Sequence, residues 1–254
     1  MSTEAKVDFA GIVFRNTNAG TGRQLAVTPE NSAMKHLAYA RVILNSATPA
    51  VSFASGGRET ALICLSGRVD VKTDGREFQL GRFDGLYIPR DSLIGISTES
   101  EADEAEFSAD VKDTHPTKLV RYAETSQDPG LKFTSGGTGS TRQVNLLIAK
   151  CKRAGCWLDL RTPSRTIGPA CRHRSGMQLV YNDHEYPELV TVVRDGDAVL
   201  IPSGYHPNVA VPGHRIAFLW AMAAHREVED RQFGVVNVQP GFQPAAAQPQ
   251  SVRK

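Results

Sequence analysis

A chain of 254 residues, 41% hydrophobic and 22% charged, is long enough for one large or two small globular domains with real cores, and its composition is neither disordered nor fibrous. The formal net charge of +2, with no polybasic run and no aromatic-rich RNA signature, sets nucleic acid aside as a partner. The stretch Met1 to Lys6 has no apolar h-region and no run of about 18 apolar residues follows, so neither signal peptide nor membrane span is expected, and the cytoplasm is the expected compartment. Cys64, Cys151, Cys156 and Cys171 are too few and too irregularly spaced for a disulfide framework, which agrees with a reducing location.

Residues 1 to 35 mix Gly, Asn and Thr with short apolar pieces, Ile12 to Phe14 and Leu25 to Val27, and read as an irregular lead-in. From Leu37 the pattern has period two. Val69 and Val71, Phe78 and Leu80, Leu86 and Ile88, and Ile94 and Ile96 each put two apolar side chains on one strand face, with Asp74-Gly75 as a hairpin turn. No segment sustains helical spacing, so an antiparallel all-β barrel or sandwich is expected. The acidic run around Glu99, Glu101, Asp103, Glu104 and Glu106 reads as a solvated strand or loop. Residues 121 to 141 end in Thr134-Ser-Gly-Gly-Thr-Gly-Ser-Thr141, which lacks the lysine of a phosphate loop and reads as a linker.

The second half repeats the style of the first. Val144, Leu146 and Ile148, then Cys156, Leu158 and Leu160, then Ala198 to Ile201, and finally Ile216, Phe218 and Trp220 supply strand material. Asp84-Gly85-Leu-Tyr-Ile-Pro89 resembles Asp195-Gly196-Asp-Ala-Val-Leu-Ile-Pro202, and the two lie about one small barrel apart. The later copy continues as Ser203-Gly204-Tyr205-His206. Gly196 opens a tight turn, and Pro202 with Gly204 ends the strand by removing a donor and permitting a sharp bend. This is similar to the second signature of cupins, which delivers one histidine to a barrel interior.

Cupins resembling this pattern bind metal with two histidines alternating along a strand, because residues i and i+2 share a sheet face, followed by a glutamate. Here Gly168-Pro-Ala-Cys171-Arg-His173 puts Cys171 in the first histidine position and His173 in the second, and cupin spacing alone puts Gln178 in the glutamate position. A thiolate and imidazoles favour zinc or iron over magnesium or calcium. The alternative is that His173 and His206 are satisfied interior histidines of an empty barrel. In the first half Pro89 is followed by Arg90, Asp91, Ser92 and Leu93, with no histidine to match His206, and no His-x-His lies upstream. The expected architecture is therefore two cupin barrels, double-stranded β-helix jelly rolls, in one chain. Residues 1–125 form an N-terminal barrel without metal, 126–235 a C-terminal barrel with the candidate metal site, and 236–254 a disordered Pro, Gln and Ala-rich tail.

The runs Gly57 to Val71, Leu86 to Arg90, Arg142 to Asn145 and above all Val192 to Pro207 resemble the 5-deoxy-glucuronate isomerase family of inositol catabolism, a two-cupin family related to the 5-keto-4-deoxyuronate isomerases. Between Thr162 and Gln178 the chain departs from it. Cys171 replaces a histidine, the glutamate strand is lacking, and Gln178 to Tyr181 matches a later family segment, which denies Gln178 the glutamate role. The resemblance implies a metal-dependent aldose-ketose isomerase acting on a small-molecule deoxy sugar acid. A divalent ion, zinc, manganese or iron, would be held by His173 and His206 with Cys171 as third ligand. Arg161 and Arg165 would fork the substrate carboxylate, whereas alternation turns Arg172 and Arg174 away from the face of His173. Tyr205 is either a donor to a substrate oxygen or a packed aromatic. No residue stands out as the catalytic base.

Two other classes stay open. One is a non-catalytic cupin that binds a sugar acid or has a structural role, with a degenerate metal site; the other is an iron-dependent oxygenase. Open sheet edges on the first barrel leave room for a homo-oligomer.

Overall fold

The computed structural model describes residues 11–135, 142–148, 156–161, 175–210, 216–223 and 239–241. The first strands in chain order are β1 (Val13–Phe14), β2 (Gly22–Val27), β3 (Leu37–Leu44), β4 (Ala50–Ala54), β5 (Arg58–Ser66), β6 (Val69–Thr73), β7 (Arg76–Leu80), β8 (Gly85–Ile88), β9 (Leu93–Ser97), β10 (Ala102–Asp110) and β11 (Lys118–Val120). After the one helix among the described residues, α1 (Tyr122–Thr125), come β12 (Lys132–Ser135), β13 (Arg142–Ile148), β14 (Cys156–Arg161), β15 (Ser175–Val180), β16 (Leu189–Arg194), β17 (Ala198–Val199), β18 (Asn208–Ala210) and β19 (Phe218–Ala223). The all-β expectation holds.

The first half is a two-sheet sandwich. A six-stranded sheet, β11-β8-β5-β10-β3-β2, faces a four-stranded one, β4-β9-β6-β7. The alternating residues singled out in the sequence form its core: Val69, Val71, Phe78, Leu80, Leu86, Ile88, Ile94 and Ile96 are all buried, together with Val42, Leu44, Leu62 and Cys64. The β6–β7 hairpin closes through Asp74 and Gly75, both at positive φ (51° and 69°), the conformation in which a two-residue turn matches strand twist.

The second half shares part of this arrangement. The order β9-β6-β7 of the first half recurs as β18-β15-β16, and a further sheet has the order β12-β13-β14-β19. The outer face of the six-stranded sheet joins the halves, since Leu219, Ala221 and Ala223 of β19 pack against the cluster of Ala61, Ile63, Ala105 and Phe107. The lead-in differs from the sequence expectation. Val13 and Phe14, and Leu25 to Val27, are strand residues: β2 pairs with β3, and β1 crosses to the second half and pairs with β17. Ile12, Val27, Val180 and Leu200 share one buried cluster.

The acidic run differs in part. Glu99 and Glu101 precede β10 and are exposed as expected, but Asp103, Glu104 and Glu106 lie on β10, the strand between β3 and β5, whose alternation turns Glu104 and Glu106 inward; each of these two is 1% exposed. Glu106 accepts two hydrogen bonds from Arg23, Nε–H at 2.6 Å and the second nitrogen at 2.7 Å, and that guanidinium lies 3.9 Å from the centre of the Phe53 ring. Glu104 sits across from Val42 and Cys64, and neither of its oxygens has a hydrogen-bond partner. Burial, then the nearby charges of Glu106 and Asp103, push its carboxyl up to about 8. Charge patterning in the sequence did not reveal this because a carboxylate run looks solvated until its strand is placed in the middle of a sheet.

A carboxyl that binds its proton more tightly when folded loses stability as pH rises. Glu104 contributes stability that is complete below about pH 4.5 and is lost as pH climbs to about 8. Glu104→Gln should therefore raise stability at neutral pH by about 1–3 kcal/mol and flatten that slope in urea titrations run across the same range. An unchanged slope would place the proton elsewhere.

Candidate functional site

The His206 turn is assembled from four segments distant in sequence. Leaving β16, the chain turns at Asp195-Gly196, with Gly196 at φ 81°, runs through β17 to Pro202, and bends again at Gly204, φ 87°. A side chain at position 204 would meet the Tyr181 carbonyl oxygen at 2.5 Å, so this bend requires glycine. Tyr205 then pairs with Tyr181 by two backbone hydrogen bonds, 2.9 and 2.8 Å, and their rings lie 6.0 Å apart. Tyr205 is half-buried, its ring beside that of Tyr181, and His206 follows it at the exposed surface.

The N-terminal segment locks the first bend. Thr17 donates to the Gly196 carbonyl with its backbone N–H at 2.8 Å and its hydroxyl at 2.7 Å, and Leu200 N–H donates to Ile12 O at 2.8 Å. Arg15 donates to Asp197 Oδ2 at 2.5 Å, to Val192 O at 2.6 Å and to the Thr191 hydroxyl at 2.5 Å. Burial pushes the Asp197 carboxyl up, but hydrogen bonds from the Arg194 N–H, Arg15 and the Asn16 N–H outweigh it and hold the group below its usual value. Nothing in the period of Arg15-Asn16-Thr17 signals this role; the aspartate of the Asp195-Gly196-Asp197 turn was the visible half of the pair.

Gln178 locks the second bend. Its buried amide nitrogen donates toward the carbonyls of His206, Pro207 and Leu179 at 3.1, 3.0 and 2.8 Å. The structure thus brings Gln178 to the His206 segment as a clamp on its backbone. This agrees with the alignment that denies Gln178 the glutamate position. From the other side, Tyr181 donates its hydroxyl to Gln239 Oε1 at 2.9 Å, and the Gln239 amide lies 3.1 Å from His184 Nδ1, which places this part of the tail beside the turn.

Of the residues expected at the site, Cys171, His173 and Arg165 lie outside the described residues. Arg161 ends β14, its backbone opposite Phe218. His206 is the one expected metal ligand that is described, and among the described residues no group of three His, Cys, Asp or Glu could hold a metal. The described donor set is thus one imidazole, and a metal would need Cys171 and His173 as well. A crevice of about 20 Å³ beside the turn, lined by Met34, Lys35, His36, Pro202 and Ala223, holds no more than about one water.

Comparison with known proteins places this geometry. Residues 13–156 and 171–237 match the model of the KduI/IolB family. The chain is 23% identical over 240 residues to a 5-deoxy-glucuronate isomerase of Geobacillus kaustophilus, covering 80% of this chain and 84% of the relative. It is 22% identical over 239 residues to one of Geobacillus thermodenitrificans, covering 80% and 85%. Among solved structures, an IolB-like protein from Salmonella typhimurium superposes with a TM-score of 0.68 at 17% identity, covering 86% of this chain and 94% of that one. A variant of oxalate decarboxylase from Bacillus subtilis superposes at 0.56 and 12% identity, covering 84% and 77%. The fold is the two-cupin fold expected from sequence.

Replacing Gln178 by leucine removes the donor from these carbonyls at similar volume. It should cost about 1–3 kcal/mol in urea unfolding and accelerate amide exchange between residues 204 and 208, while amides of β5 and β10 keep their protection. Uniform acceleration would mean that Gln178 supports the whole fold rather than this bend.

Proposed function

Because the chain belongs to the KduI/IolB family, we propose that it is an aldose-ketose isomerase acting on a deoxy sugar acid of the 5-deoxy-glucuronate type, a step of inositol catabolism. The observation that carries the reading is that the family match runs through both halves and covers the His206 turn, within an all-β chain whose two isomerase relatives each cover 80% of it. In this reaction a proton leaves the carbon beside the aldehyde and returns to the former carbonyl carbon, while the hydroxyl proton moves between the two oxygens, so no atom is gained or lost.

In this reading His206, with His173 and Cys171, holds a divalent zinc, manganese or iron ion. A metal bound there polarises the carbonyl and its neighbouring hydroxyl, lowering the cost of the negative charge that develops on them. Arg161 and Arg165 bind the substrate carboxylate, and a planar guanidinium suits that group because it forks two parallel hydrogen bonds. The chain's described contribution is orientation: Gln178 and the Tyr181–Tyr205 pairing fix the backbone that carries His206. The replacement of a histidine by Cys171 supports the second reading, a cupin that binds a sugar acid without turning it over.

The test is proton NMR of the purified chain with 5-deoxy-glucuronate in deuterated water. The isomerase reading expects loss of the aldose signals and uptake of deuterium at carbon, with His206→Ala slowing turnover by on the order of a hundredfold or more at unchanged circular dichroism. Binding of the sugar acid without conversion would select the non-catalytic reading.

Replacing Arg161 and Arg165 together should weaken binding of the sugar acid more than binding of a neutral sugar, measured by calorimetry. Equal losses would remove both arginines from carboxylate recognition.

A further inference from the structure

The outer face of the sheet β16-β15-β18 is apolar where solvent should favour polar side chains. On β16 the alternation exposes Val190, Val192 and Arg194, and the register sets Met177 of β15 between Val192 and Val209 of β18. Met177 and Val192 are each 42% exposed and Val190 and Val209 each 52%, while Tyr186, on the loop joining β15 to β16, is 76% exposed. The corresponding strands of the first half are the control. There the outward positions of β6 and β7 are Asp70, Lys72, Glu77 and Gln79, with Lys72 and Glu77 forming an ion pair at 3.5 Å. One sequence design thus yields a wettable face in the first half and an apolar one in the second. Clustered apolar exposure rimmed by charge marks a surface that is covered in the working molecule.

The charges at its two ends say by what. The β15–β16 loop carries exposed Asp183, Glu185 and Glu188 at the end where β16 begins, and Arg194 stands on the same apolar face at the end where β16 finishes. Asp195 has already entered the following turn. The face is acidic at one end, apolar in the middle and basic at the other, so it is complementary to itself turned end for end. We propose that a second copy of this chain covers it, the two sheets packing face to face about a two-fold axis that lies between them and crosses the strands at right angles. This arrangement sets β16 antiparallel to its counterpart, lays Val190 and Val192 over the partner copy's equivalents, and brings Arg194 to the opposing acidic loop. A two-fold running along the strands would put like charges together and is disfavoured. The surface is separate from the open sheet edges of the first half, which from sequence left room for a homo-oligomer.

Sedimentation equilibrium of the full chain at about 1–100 µM tests this, since dimers of ordinary interface size populate that range. The wild type should approach twice the 27.6 kDa chain mass. Val192→Lys and, independently, Val209→Glu should weaken association by at least about tenfold, with circular dichroism unchanged because both side chains are already exposed. Lys72→Glu on the first half should leave association as it was. Arg194→Glu should weaken the dimer and Arg194→Glu combined with Glu185→Lys should restore it. A wild type that remains a monomer throughout, or an oligomer indifferent to both valine substitutions, overturns the proposal. Failure of the charge exchange to restore a dimer lost in Arg194→Glu overturns the end-for-end pairing.

Discussion

Arg15 and Asp197 are separated by 182 positions in the chain and by 2.5 Å in space, and that pairing ties the N-terminal segment to the second half, alongside the apolar contact of β19 with the six-stranded sheet. Asp197 is a turn residue with a side chain only 2% exposed, so its charge has to be met within the protein, and the backbone N–H groups of Asn16 and Arg194 meet what Arg15 does not. The consequence is architectural. The N-terminal segment, which precedes the first sandwich in sequence, lies against the second half and supplies β17 with its partner strand. An ion pair between exposed charges would contribute little, but one shielded on the acid side and continued by a backbone ladder fixes a register.

The two halves share the strand order of one sheet and differ in what they bury. The first fills its interior with aliphatic side chains and admits two carboxyl groups, one clamped by Arg23 and the other, Glu104, kept neutral by burial. Its stretch after Pro89, Arg90 to Leu93, has no counterpart of His206. The second half keeps a turn built on Gly196, Pro202 and Gly204 and fixes it from both sides, through Thr17 at the first bend and Gln178 at the second. The effort of positioning is concentrated on the segment that presents His206.

Much of this was legible in the sequence, and the exceptions follow one rule. The strands of the first half could be read because each buries one face, so Val69, Val71, Phe78 and Leu80 stand out against polar neighbours. The His206 turn could be read because its glycines adopt backbone angles that other residues resist. What escaped depends on partners remote in sequence. β1 is two residues long and is a strand only because β17 lies beside it. Glu104 and Glu106 look solvated until β10 is known to run between β3 and β5. Gln178 could be placed by spacing in a ligand position, yet its amide faces the backbone of the turn it steadies.

The measurement that bears most directly on the central claim, that the His206 turn is one arm of a working metal centre, is the metal content of the full chain by mass spectrometry after purification without a histidine tag or chelator. The account predicts close to one zinc, manganese or iron per chain. A chain that holds none, and takes up none when incubated with each ion, would contradict it, and would mean that so much fixed backbone serves a binding surface rather than a reaction.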